Sequence, residues 1–595
     1  MSVSTIDRSQ NDIRPADAFI EPVRRVLDWM ISLRDSQGRI MCPWHRIEHT
    51  GKNAGVIVMA SVLADLTDGS DRDELIAVAV QQAHRLCARL EREDDSTCFT
   101  FRPGRHDPYN CSNNVIDGGA CSDALAELVL RHGDKLARQD RELFQAASVR
   151  HAQTYLRYAI IDKGVPAQRA WAMTGAAGAW KLVGHDVLEL AVMEGAGILA
   201  GVQNPDGGYP YHPIEGGAGH PGASDVSAFY QSRVTAFLMF SLERMGRDPV
   251  SPLHRAPIMR GLTMLEALFG PDGIKVGTLE AKPWYWGASY EVAAHPFDVY
   301  ALSRGAVLYN KEHFGRAALR AFEAWSQHLS PTGQPSSHHP APGREASYQC
   351  PVFWAGHASW MARSLESLQR CSQLNTATCT ATELAIMHFP NASLTRLEDE
   401  CVVAWVRGKR PGYNVSHGSP FGAGLLRVYS KRRDEDLLVR SRFAQQIEGE
   451  WSAEAGASSL QRGWESCGKE LRFSLWLARN ELRRRAPLEA IKAPWHALSR
   501  GLLPYASAHL NSSFDLNPEA ALLPDGVELQ SQLAWRGGLP LKDSRLVRRF
   551  RVDGGGLIVE DRLASADDIR KLHYTLPKAA TEVERDERRI RYRLV

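Results

Sequence analysis

The stretch VLELAVMEGAGILAGVQNPDGGYPYHPIEGGAGHPGASDVSAFYQSRVTAFLMFSLERM, residues 187–245, decides the fold. It reads as a helix over about 187–203, a long loop rich in Gly, Pro, Tyr and His, and a helix over about 225–245. The unit recurs on both sides. Upstream, a first helix follows Pro15, with Val23, Val26, Leu27, Met30 and Leu33 at helical spacing and Gly38 just past its end. Further helices are expected over about 52–67, 73–92, 118–132, 140–161 and 167–183, and downstream over about 253–269, 293–308, 312–329 and 352–371.

That makes roughly twelve helices in six pairs, far above the usual helix share. Long loops follow the first, third, seventh, ninth and eleventh helices. If consecutive helices run antiparallel, all of those loops emerge at one end. Loops beyond about 12–15 residues in a compact domain are usually functional. The fold class expected is therefore α+β and multidomain. An N-terminal (α/α)6 toroid spans residues 1–375, and an antiparallel β-sandwich spans 380–595. An open helical solenoid is the alternative, weakened by the lack of a repeat at a fixed period. The second part is read from CVVAWVRG, GAGLLRVYS, DLLVRSRF, LRFSLWLA, VELQSQLAW and RLVRRFRVDGGGLIVEDRL, short runs rich in β-branched and aromatic residues. Several alternate apolar and charged residues, as half-buried antiparallel strands do. VDGGG between two runs reads as a hairpin turn.

The chain has 595 residues, with 71 basic and 69 acidic, a formal charge of +2. That balance excludes a general nucleic-acid binder. A mean hydropathy of −0.31 and the lack of a long apolar run argue against a membrane span. The N-terminus MSVSTIDRSQNDIRPADAF has no apolar core, and the ten Cys form no CxxC pair, so a reducing cytoplasm is expected. No zinc-like Cys/His spacing is present, and neither a metal nor another cofactor is expected.

The long loops carry the candidate chemistry. PWYWGASYEVAAHPFDVY, residues 283–300, holds two Trp, three Tyr and one His. Trp284 and Trp286 suit stacking on sugar rings, and Tyr290 and His295 suit proton transfer. The bland alternative is that both Trp cap an apolar core. Other loops add Trp44, Asn113, Asn114, Tyr211, His339, Arg344 and Tyr348, with Tyr230 and Arg233 one turn apart in the following helix. Tyr230 and Arg233 could equally support a neighbouring helix, His339 could be merely solvated, and Asn113 or Asn114 could only shape a turn.

Asn, Arg, His and Tyr recur at the proposed mouth, while carboxylates are sparse. A glycoside hydrolase needs two carboxylates flanking the bond. Asp206 and Asp272 lie in PDG turns, where Asp more often fixes the backbone. β-Elimination of a uronate needs other parts. A donor must stabilise the carboxylate as the adjacent carbanion develops, a base must take the ring proton, and an acid must protonate the leaving oxygen. The loop before the second helix quoted at the outset resembles the turn motifs of toroidal terpene cyclases, but no DxDD or DDxxD run is present to drive ionisation.

NCSNN (110–114), YQSR (230–233), SYEVAAH (289–295) and NVSHGSPFGAGLLRVYS (414–430), within a toroid followed by β-structure, resemble the polysaccharide lyases of the heparinase II/III, hyaluronate and alginate lyase kind. The resemblance is architectural and covers nearly the whole chain. It implies that Asn113 or Asn114 with Arg233 neutralises the substrate carboxylate. It further implies that His295 or His339 is the base, that Tyr290 or Tyr230 is the acid, and that His417 reaches the cleft from the β domain. The expected function is a lyase acting on an acidic polysaccharide or oligosaccharide, with no nucleic-acid or membrane partner. A toroidal glycoside hydrolase and a non-catalytic glycan-binding protein are the alternatives.

Overall fold

The computed structural model describes residues 15–595 except 44–45, 47, 94–95, 99–111, 163, 211–225, 227, 277–293, 336–350, 375–383, 409–421, 440–446, 458–507, 516–517, 536–539, 542 and 566–567. Among the described residues, helices run from Asp17 to Leu374 and strands predominate from Ala385 onward.

The helices are α1 Asp17–Ser32, α2 Thr50–Asp65, α3 Gly69–Ala88, α4 Ser112–His132, α5 Arg138–His151, α6 Arg157–Asp162, α7 Pro166–Val183, α8 Asp186–Val202, α9 Ala228–Arg244, α10 Pro252–Ala267, α11 His295–Tyr309, α12 Glu312–Gln327 and α13 Pro351–Leu374. Two kinds alternate. α12 buries one stripe, Phe314, Ala317, Ala318, Ala321, Phe322 and Trp325, and is an outer helix. In α1, Val23, Val26, Leu27 and Met30 are buried as their spacing requires. α9 is buried continuously from Phe237 to Leu242, and α2 from Val56 to Ala64, as helices surrounded on all sides must be. These inner helices pack in the cyclic order α2, α4, α7, α9, α11, α13, and α13 returns to α2, so the ring closes.

Closure is repeated outside by one five-residue turn. It follows α1 at Asp35–Arg39, α8 at Asn204–Gly208, α10 at Gly270–Ile274 and α12 at Ser330–Gln334. In each, the first N–H donates to the fifth carbonyl at 2.9 Å. The fourth residue is always glycine with positive φ, from 72° at Gly38 to 93° at Gly207. A Cβ on Gly207 would stand 2.1 Å from the Arg260 carbonyl in α10, and one on Gly273 2.2 Å from that of Arg320 in α12. One on Gly333 would stand 2.1 Å from the Arg25 carbonyl in α1. Each turn therefore sits on the next outer helix, and the last sits on the first. The repeat has no fixed period because the loops between its copies differ in length.

Two expectations are corrected. The single helix over 140–161 is broken by a π-turn at Ala152–Leu156, where the His151 and Tyr155 rings stack 5.4 Å apart. The loop after α3 contains a small hairpin, β1 Glu91–Glu93 with β2 Ser96–Cys98, and α4 starts at Ser112 rather than near 118.

Among the described residues, every strand pairing beyond the toroid is antiparallel. The first sheet holds β3 Ala385–Phe389, β4 Leu394–Glu398, β5 Val402–Arg407, β6 Gly424–Ser430 and β7 Glu435–Val439 in sequence order. A three-stranded sheet joins β8 Glu450–Ala455 to β9 His509–Asn511 and β14 Ile569–Thr575. A six-stranded sheet joins β10 Glu519–Leu523, β11 Gly526–Ser531, β12 Arg545–Val552, β13 Leu557–Ser565, β16 Arg589–Leu594 and β15 Thr581–Arg585 in that spatial order. The VDGGG turn joins β12 to β13 as its sequence indicates. One apolar core unites Val402 and Val428 of the first sheet with Trp451 and Phe550 of the others.

The first sheet is covered on its other face by the toroid. Val403, Trp405, Leu426 and Tyr429 pack on Ala228, Met264, Leu268 and Val276. β5 and β6 are thus buried on both faces at every residue, Arg407 and Arg427 included, rather than half-buried. The junction is polar as well as apolar. Trp405 Nε1 donates to the Ala267 carbonyl at 2.8 Å. Arg427, fully buried, pairs with Asp272 and Asp436 at 2.5 Å each and donates to the Ile274 carbonyl.

Candidate functional site

The repeated turns lie against the first residues of the inner helices. The Gln231 side chain in α9 accepts from Tyr209 N–H at 3.0 Å and donates to the Gly207 carbonyl at 2.9 Å. Asn53 in α2 donates to the Ile40 carbonyl. Lys275, just past its turn, reaches Asp298 in α11. The loops that leave these turns therefore begin at the end of the ring where the inner helices start. Helix N-termini present partial positive charge and unpaired N–H groups, a setting that favours anions.

Side chains in the first turns of the inner helices meet there and form a floor. Lys52 of α2 stands 5.2 Å from the Trp171 ring of α7 and 4.6 Å from Phe353 of α13. Arg233 of α9 approaches the same indole from another side at 5.7 Å, and lies 3.4 Å from Phe229 and 4.3 Å from Phe297 of α11. His357 of α13 packs edge-on against Phe297 at 4.8 Å and Phe353 at 4.7 Å. Two long cations and a histidine are thus held among aromatic faces, where cation–π attraction offsets part of their desolvation.

Of the residues expected to be catalytic, the structure brings Tyr230 and Arg233 together, with the guanidinium 5.9 Å from the phenol ring. Arg233 is buried, donates to the Phe229 carbonyl at 2.9 Å and packs against Phe297 of the neighbouring α11. Tyr230 is half-buried. His295 opens α11 and is enclosed, its ring 6.0 Å from Phe269. An enclosed imidazole is a poor match for a base that must meet a sugar directly. Asn113 and Asn114 fall in the first turn of α4, and their side chains lie outside the described residues. Trp44, Tyr211, Trp284, Trp286, Tyr290, His339, Arg344, Tyr348 and His417 also lie outside the described residues.

The carboxylates have other work. Asp206 accepts the backbone N–H groups of Asn391 at 2.6 Å and Ala392 at 2.9 Å in the β domain. Asp272 receives Arg427 and the Ile274 N–H. Both PDG aspartates thus anchor the sheet, and Asp272 also ties its own turn. Asp298 is wholly buried and pairs with Lys275 at 3.0 Å, while Lys275 also donates to the Ala228 carbonyl. Burial pushes the Asp298 carboxyl up, against the pull of Lys275, Ser232 and Arg233. Asp123 pairs with Arg363 at 2.8 Å.

Sequence reading missed Lys52, Trp171, Lys275, Asp298 and His357. Their signal was faint but present: each is a polar or bulky residue inside an otherwise small, apolar inner helix, or directly behind a glycine turn. Among the described residues no group of three His, Cys, Asp or Glu is placed to hold a metal, and no helix is long and apolar enough to cross a membrane.

No protein-family model matches the chain, and no curated protein matches it. Solved structures do. A single-residue mutant of chondroitin AC lyase from Streptomyces coelicolor A3 is similar over 92% of this chain and 66% of its own, at 10% identity and a TM-score of 0.50. A Paenibacillus xanthan lyase is similar over 92% of this chain and 45% of its own, at 10% identity and a TM-score of 0.49. Cellobiose 2-epimerase from Spirochaeta thermophila DSM 6192 covers 60% of this chain and 97% of its own, at 11% identity and a TM-score of 0.41. What the chain shares with the chondroitin AC lyase is its fold, a helical toroid followed by antiparallel β-structure.

Proposed function

We propose that this chain is a polysaccharide or oligosaccharide lyase that cleaves a uronate-containing glycan by β-elimination. The ring is read as an (α/α)6 toroid and the sheets as a sandwich packed on its rim. The observation that carries the reaction is the chemistry of the mouth floor. Lys52 and Arg233 converge on Trp171 at the inner-helix N-termini. The described carboxylates near that floor, Asp298 and Asp123, are each held by a cation. Positive charge beside aromatic faces suits a sugar carboxylate whose charge grows as the adjacent proton leaves. Two ion-paired aspartates do not suit the acid–base pair of hydrolysis. The fold shared with a chondroitin AC lyase adds to this reading.

In this scheme Tyr230, the partly exposed member of the described trio, moves the proton. Arg233 beside it, with Asn113 or Asn114, neutralises the carboxylate. Tyr290 and His339 are the further proton-transfer candidates, and His295 positions the start of α11. Trp44, Tyr211, Trp284, Trp286, Arg344, Tyr348 and His417 complete the glycan-binding set, and the reaction needs no cofactor.

The test supplies polymers of glucuronate, mannuronate and galacturonate and follows the ultraviolet absorbance of an unsaturated uronate. Growth of that chromophore on one of them is expected. New reducing ends without the chromophore would replace elimination with hydrolysis. Binding without turnover would leave a glycan-binding protein.

A further inference from the structure

The turn that follows α10 departs from its three counterparts in one residue. The position directly behind the turn is Ile40 after α1, Tyr209 after α8 and Pro335 after α12, all uncharged and buried. After α10 it is Lys275, wholly buried. Its ammonium donates to the Ala228 carbonyl in the first turn of α9 at 3.1 Å, and to Asp298 in the first turn of α11 at 3.0 Å. Two neighbouring inner helices are thus tied together at their N-terminal ends through one side chain.

The tie lies beside the residues that hold Arg233. Ala228 immediately precedes Phe229, whose ring is 3.4 Å from the guanidinium, and Asp298 immediately follows Phe297, whose ring is 4.3 Å from it. The guanidinium donates to the Phe229 carbonyl, the one next to the carbonyl that Lys275 takes. The seat of the guanidinium between the two rings therefore follows from the spacing of α9 and α11 at their first turns. Stability alone does not call for an ion pair there, because buried pairs exchanged for apolar residues of similar volume often leave a protein equally stable. Apolar contacts are non-directional, whereas two hydrogen bonds from one ammonium fix both distance and direction. Burial pushes the Asp298 carboxyl up, and the pull of Lys275, Ser232 and Arg233 works against that rise.

We propose that Lys275 and Asp298 are positioning residues, a clamp that sets the spacing of α9 and α11 and thereby places the Arg233 guanidinium for the sugar carboxylate. The consequence for catalysis rests on the lyase reading; the seat of the guanidinium does not. A group displaced by about 1 Å can lose about 100-fold in rate. Because the charge on the substrate carboxylate grows as the adjacent proton leaves, that loss falls on kcat more than on KM.

The test replaces the pair in the full chain by Lys275→Met together with Asp298→Leu. It reads crystal structures of parent and variant, the unfolding midpoint and, on the uronate polymer that the parent cleaves, kcat and KM. The midpoint should stay close to that of the parent, since the pair is exchanged for apolar residues of similar size. The guanidinium should leave its seat between Phe229 and Phe297 by about 1 Å, and kcat should fall by about tenfold or more while KM changes less. Should the double variant not fold, Lys275→Met alone takes its place with the same readings, because the carboxyl it strands takes up a proton. A guanidinium left in its seat would overturn the clamp, whatever the rate. A displaced guanidinium with an unchanged kcat would overturn the positioning role. If the parent forms no unsaturated product from any uronate polymer, the lyase reading fails, and a displaced guanidinium still upholds the clamp.

Discussion

Tyr230 and Asp561 show what a neighbourhood does to one ionisable group. Tyr230 sits half-exposed over the Arg233 guanidinium. Removing its hydroxyl leaves packing intact and removes a proton carrier. Tyr230→Phe should therefore cut the elimination rate by about 100-fold or more while the unfolding midpoint holds, since general acid–base groups contribute about 10²–10⁴. A rate within about twofold of the parent, the scatter of a group outside the chemistry, would remove Tyr230 from the reaction. In the β domain, Arg548 is shared by two buried carboxylates, Glu450 at 2.8 Å and Asp561 at 3.1 Å. Two negative charges on one guanidinium leave one uncompensated. Burial pushes Asp561 up to about 6 from 3.8, against Arg548 and with the help of Glu450. The folded chain then holds this proton more tightly than the unfolded chain. The stability it contributes is present below about pH 4 and lost as pH rises to about 6, roughly 3 kcal/mol in all. Asp561→Asn carries no such proton, so its stability relative to the parent should climb by about that amount between pH 4 and pH 7 in urea titrations. A difference that does not change with pH would contradict the assignment.

Among elements, the turn that follows α1, α8, α10 and α12 has the strictest geometry. Gly273 has φ of 74°, and a Cβ there would stand 2.2 Å from the Arg320 carbonyl. Both the backbone strain of a left-handed residue and the steric clash oppose any side chain. Gly273→Ala should destabilise by about 2–4 kcal/mol. Gly69→Ala is the control, because its φ of 64° is similar but no atom lies within 4 Å. That variant should cost about 1–2 kcal/mol, the left-handed penalty alone. Equal losses at both positions, measured by chemical denaturation, would show that docking of turns on neighbouring helices does not matter. The PDG sequence was legible as a turn. Its second duty, carrying Asp206 and Asp272 to the sheet, was not, because their partners lie more than 150 positions away.

At the scale of the molecule, toroid and β domain are joined through Arg427 and Trp405. Arg427 is fully buried and holds Asp272 of the toroid and Asp436 of the sheet at once. Arg427→Met leaves two carboxylates without their cation, and breaking a buried pair costs about 3–5 kcal/mol. The expected result is one thermal transition in the parent and two in the variant, the sheet melting first. A single transition in both would mean that the apolar contacts of Trp405, Leu426 and Tyr429 suffice to couple the parts.

The order of helices and strands, the alternation of short links and long loops, and the pairing of helices were written in the sequence, because hydrophobic periodicity and glycine punctuation are local properties. The same holds for the VDGGG hairpin and for the apolar stripe of α1. Only the tertiary structure decided how the ring closes, that β5 and β6 are covered on both faces, and that Lys52, Arg233 and Trp171 meet. Those facts depend on residues far apart in the chain sharing one small volume, and a lone lysine or tryptophan inside an apolar helix does not announce its neighbours.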